Sequence, residues 1–136
     1  MVILGMGGNI GDTEAHFRNA MSALAAAGFR VKRVSSPYRN PAVGCEDGAP
    51  DFMNIVLLGE WDGMPEALLA VTQAIEVQEG RPADHPHWVS RTLDIDLIAC
   101  NGERRDTPAL TLPHPRWRER PFVTIPLAEL GVEVEE

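Results

Sequence analysis

Apolar residues follow two different rhythms along the chain, and their order predicts the elements. Val2 to Leu4 is a short apolar strand. From Thr13 to Ala27 the spacing changes. Phe17, Ala20, Met21 and Leu24 recur at i, i+3, i+4 and i+7, which predicts a helix with one apolar stripe. Asp12 is placed to cap it, Glu14 suits its first turn, and Gly28 ends it in the left-handed position. Phe29 to Ser35 reads as a strand and Phe52 to Leu58 as a buried one. Pro65 opens a second helix at a favoured early position, Leu68, Val71, Thr72 and Ile75 line one face, and Gly80 stops it. Thr92 to Ile98 is the clearest strand. Pro121 to Leu127, with its run Phe122-Val123-Thr124-Ile125, reads as a last apolar strand.

The segments between are as informative. Gly5 to Gly11 reads as a glycine-rich turn. Ser36 to Asp51 holds Pro37, Pro41, Gly44, Gly48 and Pro50, so it reads as a long loop. Arg81 to Ser90 reads as a second loop, and Asn101-Gly102 as a polar turn. Loops this long in a compact domain are usually functional. The order is β-α-β-β-α-β with a small C-terminal extension. That predicts an α+β, ferredoxin-like βαββαβ sandwich, with a mostly antiparallel sheet, helices on one face and long active-site loops.

Composition narrows the class. A length of 136 residues fits a single domain over 1–136 with one core. Twelve basic against 20 acidic residues give a net charge of −8, a poor match for a nucleic-acid backbone. A small nucleotide site can still be locally basic. Cys45 and Cys100 have no metal or redox spacing. No apolar run has the length of a membrane span, and Met1 to Gly5 carries no basic segment or cleavage signature. The expectation is a cytoplasmic protein that engages neither membrane nor nucleic acid.

Asp94-Ile95-Asp96 carries the strongest chemical signal. In a strand, Leu93, Ile95 and Leu97 face the core while Asp94 and Asp96 leave the opposite face side by side. Two such carboxylates repel unless a cation lies between them, and magnesium, with its preference for hard oxygen ligands, suits the place. They are otherwise two ordinary solvated aspartates. Arg91 precedes this strand and Arg81 begins the loop before it. Their guanidinium forks match phosphate oxygens. Trp88 stacks on a heterocycle or anchors its loop. Gln73 and Glu76 share a helix face, toward a nucleotide or toward solvent. His114 and Arg120 are a potential second cationic pair, or His114, between Pro113 and Pro115, is simply a turn residue. Asn54 is the one strongly polar side chain of its strand and must be hydrogen-bonded if buried. It reads an amide-like heterocycle edge, with Phe52 on the same face, or it binds loop backbone.

Gly5-Met6-Gly7-Gly8-Asn9-Ile10-Gly11 fails as a nucleotide fingerprint. Ile10 stands where a dinucleotide motif requires glycine, and the Lys-Ser/Thr of a phosphate loop is missing. Tight packing of a turn against the sheet is the expectation there.

These segments together make the chain resemble the 6-hydroxymethyl-7,8-dihydropterin pyrophosphokinase family of folate biosynthesis, from Ile3 to Leu130. The likeness runs through Leu4 to Asp12, Ser35 to Pro41, Asp51 to Asn54, Ile75-Glu76, Gly80-Arg81, Arg91 to Leu97, Leu112 to Pro115 and Arg120 to Val123. The segment Arg91-Thr92-Leu93-Asp94-Ile95-Asp96 is the most specific.

The resemblance implies a transferase that moves a diphosphate from ATP to a hydroxymethyl dihydropterin and releases AMP, with two magnesium ions. It implies Asp94 and Asp96 as metal ligands, and Arg81 and Arg91 as phosphate-engaging catalytic residues beside them. Gln73, Glu76, Thr111, His114 and Arg120 match ATP-side positions. Pro41, Val43, Phe52, Asn54, Trp88, Asp94 and Phe122 match the pterin pocket. The expected partners are these two small molecules, and the expected state is a monomer. Several positions depart from the family pattern. The 82–90 loop is poor in Lys and Arg, Val89-Ser90 replaces a usual glycine-proline, Gly8 a usual serine, and Asn40 a common threonine. The alternative is a paralogue that binds a pterin or nucleotide without turnover, or acts on a related pterin alcohol.

Overall fold

A computed structural model describes residues 1–40, 51–80 and 92–134. Strand β1 (Val2–Gly8) leads into α1 (Thr13–Ala26), then β2 (Arg30–Val34), β3 (Tyr38–Asn40) and β4 (Phe52–Glu60). Helix α2 (Pro65–Gln78) and strand β5 (Asp94–Cys100) follow, then the short strands β6 (Arg105–Asp106) and β7 (Thr111–Leu112), which pair with each other. A turn of 3₁₀ helix at Trp117–Glu119 leads into α3 (Pro121–Leu130).

The main sheet runs β2-β4-β1-β5, with every pair antiparallel. Strand β4 is nine residues long and carries two neighbours on one side, β2 along Leu57 to Glu60 and β3 along Phe52 to Asn54. Ser35 joins them: its amide donates to Val56 O and its Oγ accepts the Val56 amide, both at 2.9 Å.

Strand alternation divides the sheet into two faces. Val2, Leu4 and Met6 of β1, Met53, Ile55 and Leu57 of β4, and Ile95 and Leu97 of β5 pack with Phe17, Ala20 and Leu24 of α1 and Leu68 and Ile75 of α2. Both helices use the expected stripes. Asp12 caps α1 by accepting the Ala15 amide at 3.0 Å, and Pro65 occupies the start of α2. The opposite face holds Ile3, Val56, Leu58 and Ile98, packed against Val123, Leu127 and Leu130 of α3.

Three readings change. First, Gly5 to Gly8 is not a turn but the second half of β1. Glycine carries no hydrophobic marker, so the sequence pattern ends the strand where its side chains end. Second, Pro121 to Leu127 is not a strand but most of α3. Its β-branched run mimics a strand, but Val123, Leu127 and Leu130 are buried at helical spacing, Pro121 sits at the first helical position, and Gly131 closes the helix at φ 69°. The helix puts an apolar layer on the second face of the sheet. Third, the expected 36–51 loop contains β3, a three-residue edge strand held by register with β4. No helix among the described residues is long and apolar enough to cross a membrane.

Candidate active site

The apolar cluster under α3 covers one part of its sheet face. Further along the same strands that face turns polar. Asp96 lies opposite Gly5, and Asp94 opposite Gly7. On the other side of β1, Gly5 is opposite Val56 and Gly7 opposite Asn54. Leu93, Ile95 and Leu97 are buried behind the carboxylates, which are themselves half-buried. Two carboxylates therefore stand on one side of β1 and a carboxamide on the other, with side-chain-free positions between them.

The two glycines differ. A Cβ at Gly5 would meet nothing nearer than Ile98 Cδ1 at 3.8 Å. A Cβ at Gly7 would lie 2.3 Å from Asn54 Oδ1 and 3.2 Å from its carboxamide carbon. Residue 7 must therefore be glycine for Asn54 to hold this position. The sequence pattern alone assigns Gly7 to a tightly packed turn. The signal was present in Ile3, Gly5 and Gly7, which occupy alternate positions and so share a strand face.

Asn54 is buried, and its Nδ2 donates to Asn40 Oδ1. Asn40 and Phe52 are opposite each other across β3 and β4, which puts Phe52 on the same face as Asn54. Cross-strand register brings Asn40 here, and nothing in the local sequence marks it.

The segment after β7 brings an imidazole and a guanidinium to the carboxylates. The His114 amide donates to Ile98 O at 2.8 Å, which fastens this segment to β5. Arg120 precedes α3, and its Nη1 donates to Asp96 Oδ2 at 3.3 Å. The guanidinium also lies over the Phe122 ring, 5.5 Å from its centroid. Phe122, expected on a strand, reaches this place from the first turn of α3. In the metal-free protein Arg120 thus meets part of the charge that the sequence left as a bare repulsive pair.

Burial lowers the His114 pKa below its ordinary 6.5, the nearby charges of Arg120 and Arg116 add to that, and Asp96 opposes it. Its Nδ1 accepts the Arg116 amide at 3.1 Å, so the neutral ring carries its proton on Nε2. Thr111 lies in β7, half-buried.

Glu76 and Gln73 part company despite sharing helix α2. Gln73 is exposed, whereas Glu76 is buried and its Oε2 accepts the Ile95 amide at 2.8 Å. Since β5 is the outer strand of the sheet, this bond satisfies an edge amide between the two aspartates. Pro41, Val43, Arg81, Trp88 and Arg91 lie outside the described residues. Among the described residues no group of three or more His, Cys, Asp or Glu is placed to hold a metal.

The profile of the 7,8-dihydro-6-hydroxymethylpterin-pyrophosphokinase family matches residues 3–132. Among curated proteins, the 2-amino-4-hydroxy-6-hydroxymethyldihydropteridine pyrophosphokinase of Bacillus subtilis is 40% identical over 134 residues, 98% of this chain and 79% of that protein. The protein of the same name from Synechocystis is 40% identical, over 95% of this chain and 65% of its own length. That of Methylorubrum extorquens is 39% identical, over 96% and 82%.

Proposed function

The chain belongs to the 7,8-dihydro-6-hydroxymethylpterin-pyrophosphokinase family, and from that premise we propose that it transfers a diphosphate from ATP to the hydroxymethyl oxygen of a 6-hydroxymethyl-7,8-dihydropterin. The observation that carries the reading is the shared face of Asp94, Asp96 and Asn54, separated by Gly5 and Gly7. It offers an anionic side for metal-bound phosphates and an amide side for a heterocycle, with room between.

Asp94 and Asp96 are the residues that would hold magnesium. Two hard carboxylates without a third protein ligand among the described residues suit an ion that leaves its other positions to phosphates and water. When bound there, such ions would supply positive charge to offset that of the phosphates. Arg120, beside Asp96, offers its guanidinium to the ATP phosphates. Neutral His114 offers an Nε2–H donor on the same side. Gln73, Glu76 and Thr111 complete the proposed ATP side. Asn54 fixes the heterocycle edge, and Phe52 and Phe122 contact its ring. Roles for Pro41, Val43, Arg81, Trp88 and Arg91 in lining the pocket and engaging phosphate rest on the family resemblance alone. The hydroxymethyl oxygen forms a bond to the β-phosphorus as its proton passes to water, the bond from that phosphorus to the α,β-bridging oxygen breaks, and AMP departs with that oxygen. Most of the catalysis is placement and charge neutralisation.

The proposal includes action as a monomeric single domain in the cytoplasm. One sheet shared by both apolar layers supports the single domain, and sedimentation at working concentration tests the monomer. The deciding experiment for the activity is AMP release from ATP with magnesium and 6-hydroxymethyl-7,8-dihydropterin. Pterin-dependent AMP formation supports the reading. Binding of both ligands without AMP would replace it with a non-catalytic binding protein.

A further inference from the structure

We propose that Asn40 is a specificity-setting positioning residue, which fixes the direction in which the Asn54 carboxamide faces the ligand. The inference rests on the pterin reading of the Asn54 face and deepens it. A carboxamide has an acceptor end and a donor end of nearly the same shape, so a buried asparagine can present either. Here Asn54 Nδ2 donates to Asn40 Oδ1, and Asn54 Oδ1 is the atom turned toward Gly7. While Asn40 presents Oδ1, rotating the Asn54 carboxamide alone by half a turn would set its oxygen against that atom, two acceptors facing each other. The cross-strand partner therefore selects one orientation. Gly7 provides the space that the chosen oxygen occupies, since a Cβ there would lie 2.3 Å from it.

The consequence is chemical. An edge that meets Asn54 Oδ1 above Gly7 is satisfied by an N–H donor, such as the ring lactam N–H or exocyclic amine of an aminopyrimidinone-type ring. A ring with only acceptors on that edge faces an oxygen it cannot satisfy, and unmatched buried polar groups discriminate strongly. Asn40 does this by holding Asn54.

Two nearly isosteric substitutions separate positioning from mere packing. Asn40→Leu removes the acceptor, while Asn40→Asp keeps an oxygen for Asn54 Nδ2. The readout is equilibrium binding of 6-hydroxymethyl-7,8-dihydropterin in the presence of magnesium and a non-hydrolysable ATP analogue, with analogue binding measured alongside. Asn40→Leu is expected to weaken pterin binding about tenfold, the scale of one hydrogen bond. Analogue affinity should stay within about twofold, since that side of the face is untouched. Asn40→Asp should bind the pterin within about twofold of the parent, because the acceptor remains. Unchanged pterin affinity in Asn40→Leu, or equal losses in both variants, would overturn the assignment. AMP release by the parent is scored separately. A parent that binds the pterin but forms no AMP defeats the catalytic reading alone, and the binding comparison still decides the role of Asn40.

Discussion

Glu76 on α2 accepts the backbone amide of Ile95, at 2.8 Å, in the middle of the Asp94-Ile95-Asp96 triplet. The side chain is buried, so the bond replaces water for an edge amide that has no strand beside it among the described residues. The helix and the carboxylate strand are thereby joined at the one residue that separates the two carboxylates.

Glu76→Ala is therefore expected to lower stability by about 1–3 kcal/mol, the cost of leaving a buried amide without a partner. It should also weaken pterin-dependent AMP release, because the strand carrying both aspartates loses a support. Glu76→Gln keeps a side-chain oxygen and should recover most of the stability. Thermal unfolding of both variants checks this. Equal melting temperatures for parent and Glu76→Ala would show that the bond contributes nothing.

The glycine pair gives a steric prediction. Gly7→Ala forces the Asn54 carboxamide away and should cost about 1–3 kcal/mol, as overpacking typically does. Gly5→Ala meets Ile98 at ordinary contact distance and should cost no more than about 0.5 kcal/mol in folding, since a strand gains rigidity from losing glycine. Denaturant unfolding of the two variants side by side tests the contrast, and similar losses at both positions would contradict it.

These elements also show where the sequence was legible. The alternation of Leu93 to Leu97 declared both the core and the carboxylate face, because side-chain direction in a strand has period two. The helices α1 and α2 were equally plain from their stripes and caps. The glycines of β1 were misread because a side-chain-free strand face carries no pattern of polarity. Helix α3 was misread because Phe122 to Ile125 has strand-like composition, and its helical spacing emerges only when Leu127 and Leu130 are included. The contacts of Arg120 with Asp96 and of Asn40 with Asn54 depend on how distant segments meet, 24 and 14 residues apart. Local pattern is silent about such pairs. Glu76 was legible as a polar residue on a helix, but its engagement with β5 was not.

The depressed pKa of His114 gives a pH dependence of known sign. Above its ordinary value of 6.5 the ring is neutral in both folded and unfolded chains, and its titration contributes nothing. As pH falls below 6.5 the unfolded chain takes up the proton first, so the folded state loses stability. The loss becomes constant once pH passes below the folded value. In the metal-free protein, the stability of the parent relative to His114→Gln should decline as pH falls through about 6.5 and below, and be flat well above it. Unfolding free energies across that range test this, and a pH-independent difference would contradict it.

The central claim is that Asp94 and Asp96 are chemical and not structural. Asparagine at either position keeps the shape and removes a negative ligand. Asp94→Asn removes a like-charge neighbour of Asp96 and should remain folded in the metal-free protein. Asp96→Asn gives up the Arg120 pair, which is part-exposed and therefore worth at most about 1 kcal/mol. The most direct measurement is magnesium-dependent AMP release from ATP and 6-hydroxymethyl-7,8-dihydropterin by each variant and the parent, with thermal unfolding of the same samples. The account predicts folded variants whose AMP release falls by about a thousandfold or more, a loss on the scale of removing one group that stabilises transition-state charge. Folded variants that retain near-parental magnesium-dependent AMP release would contradict both the site and the mechanism.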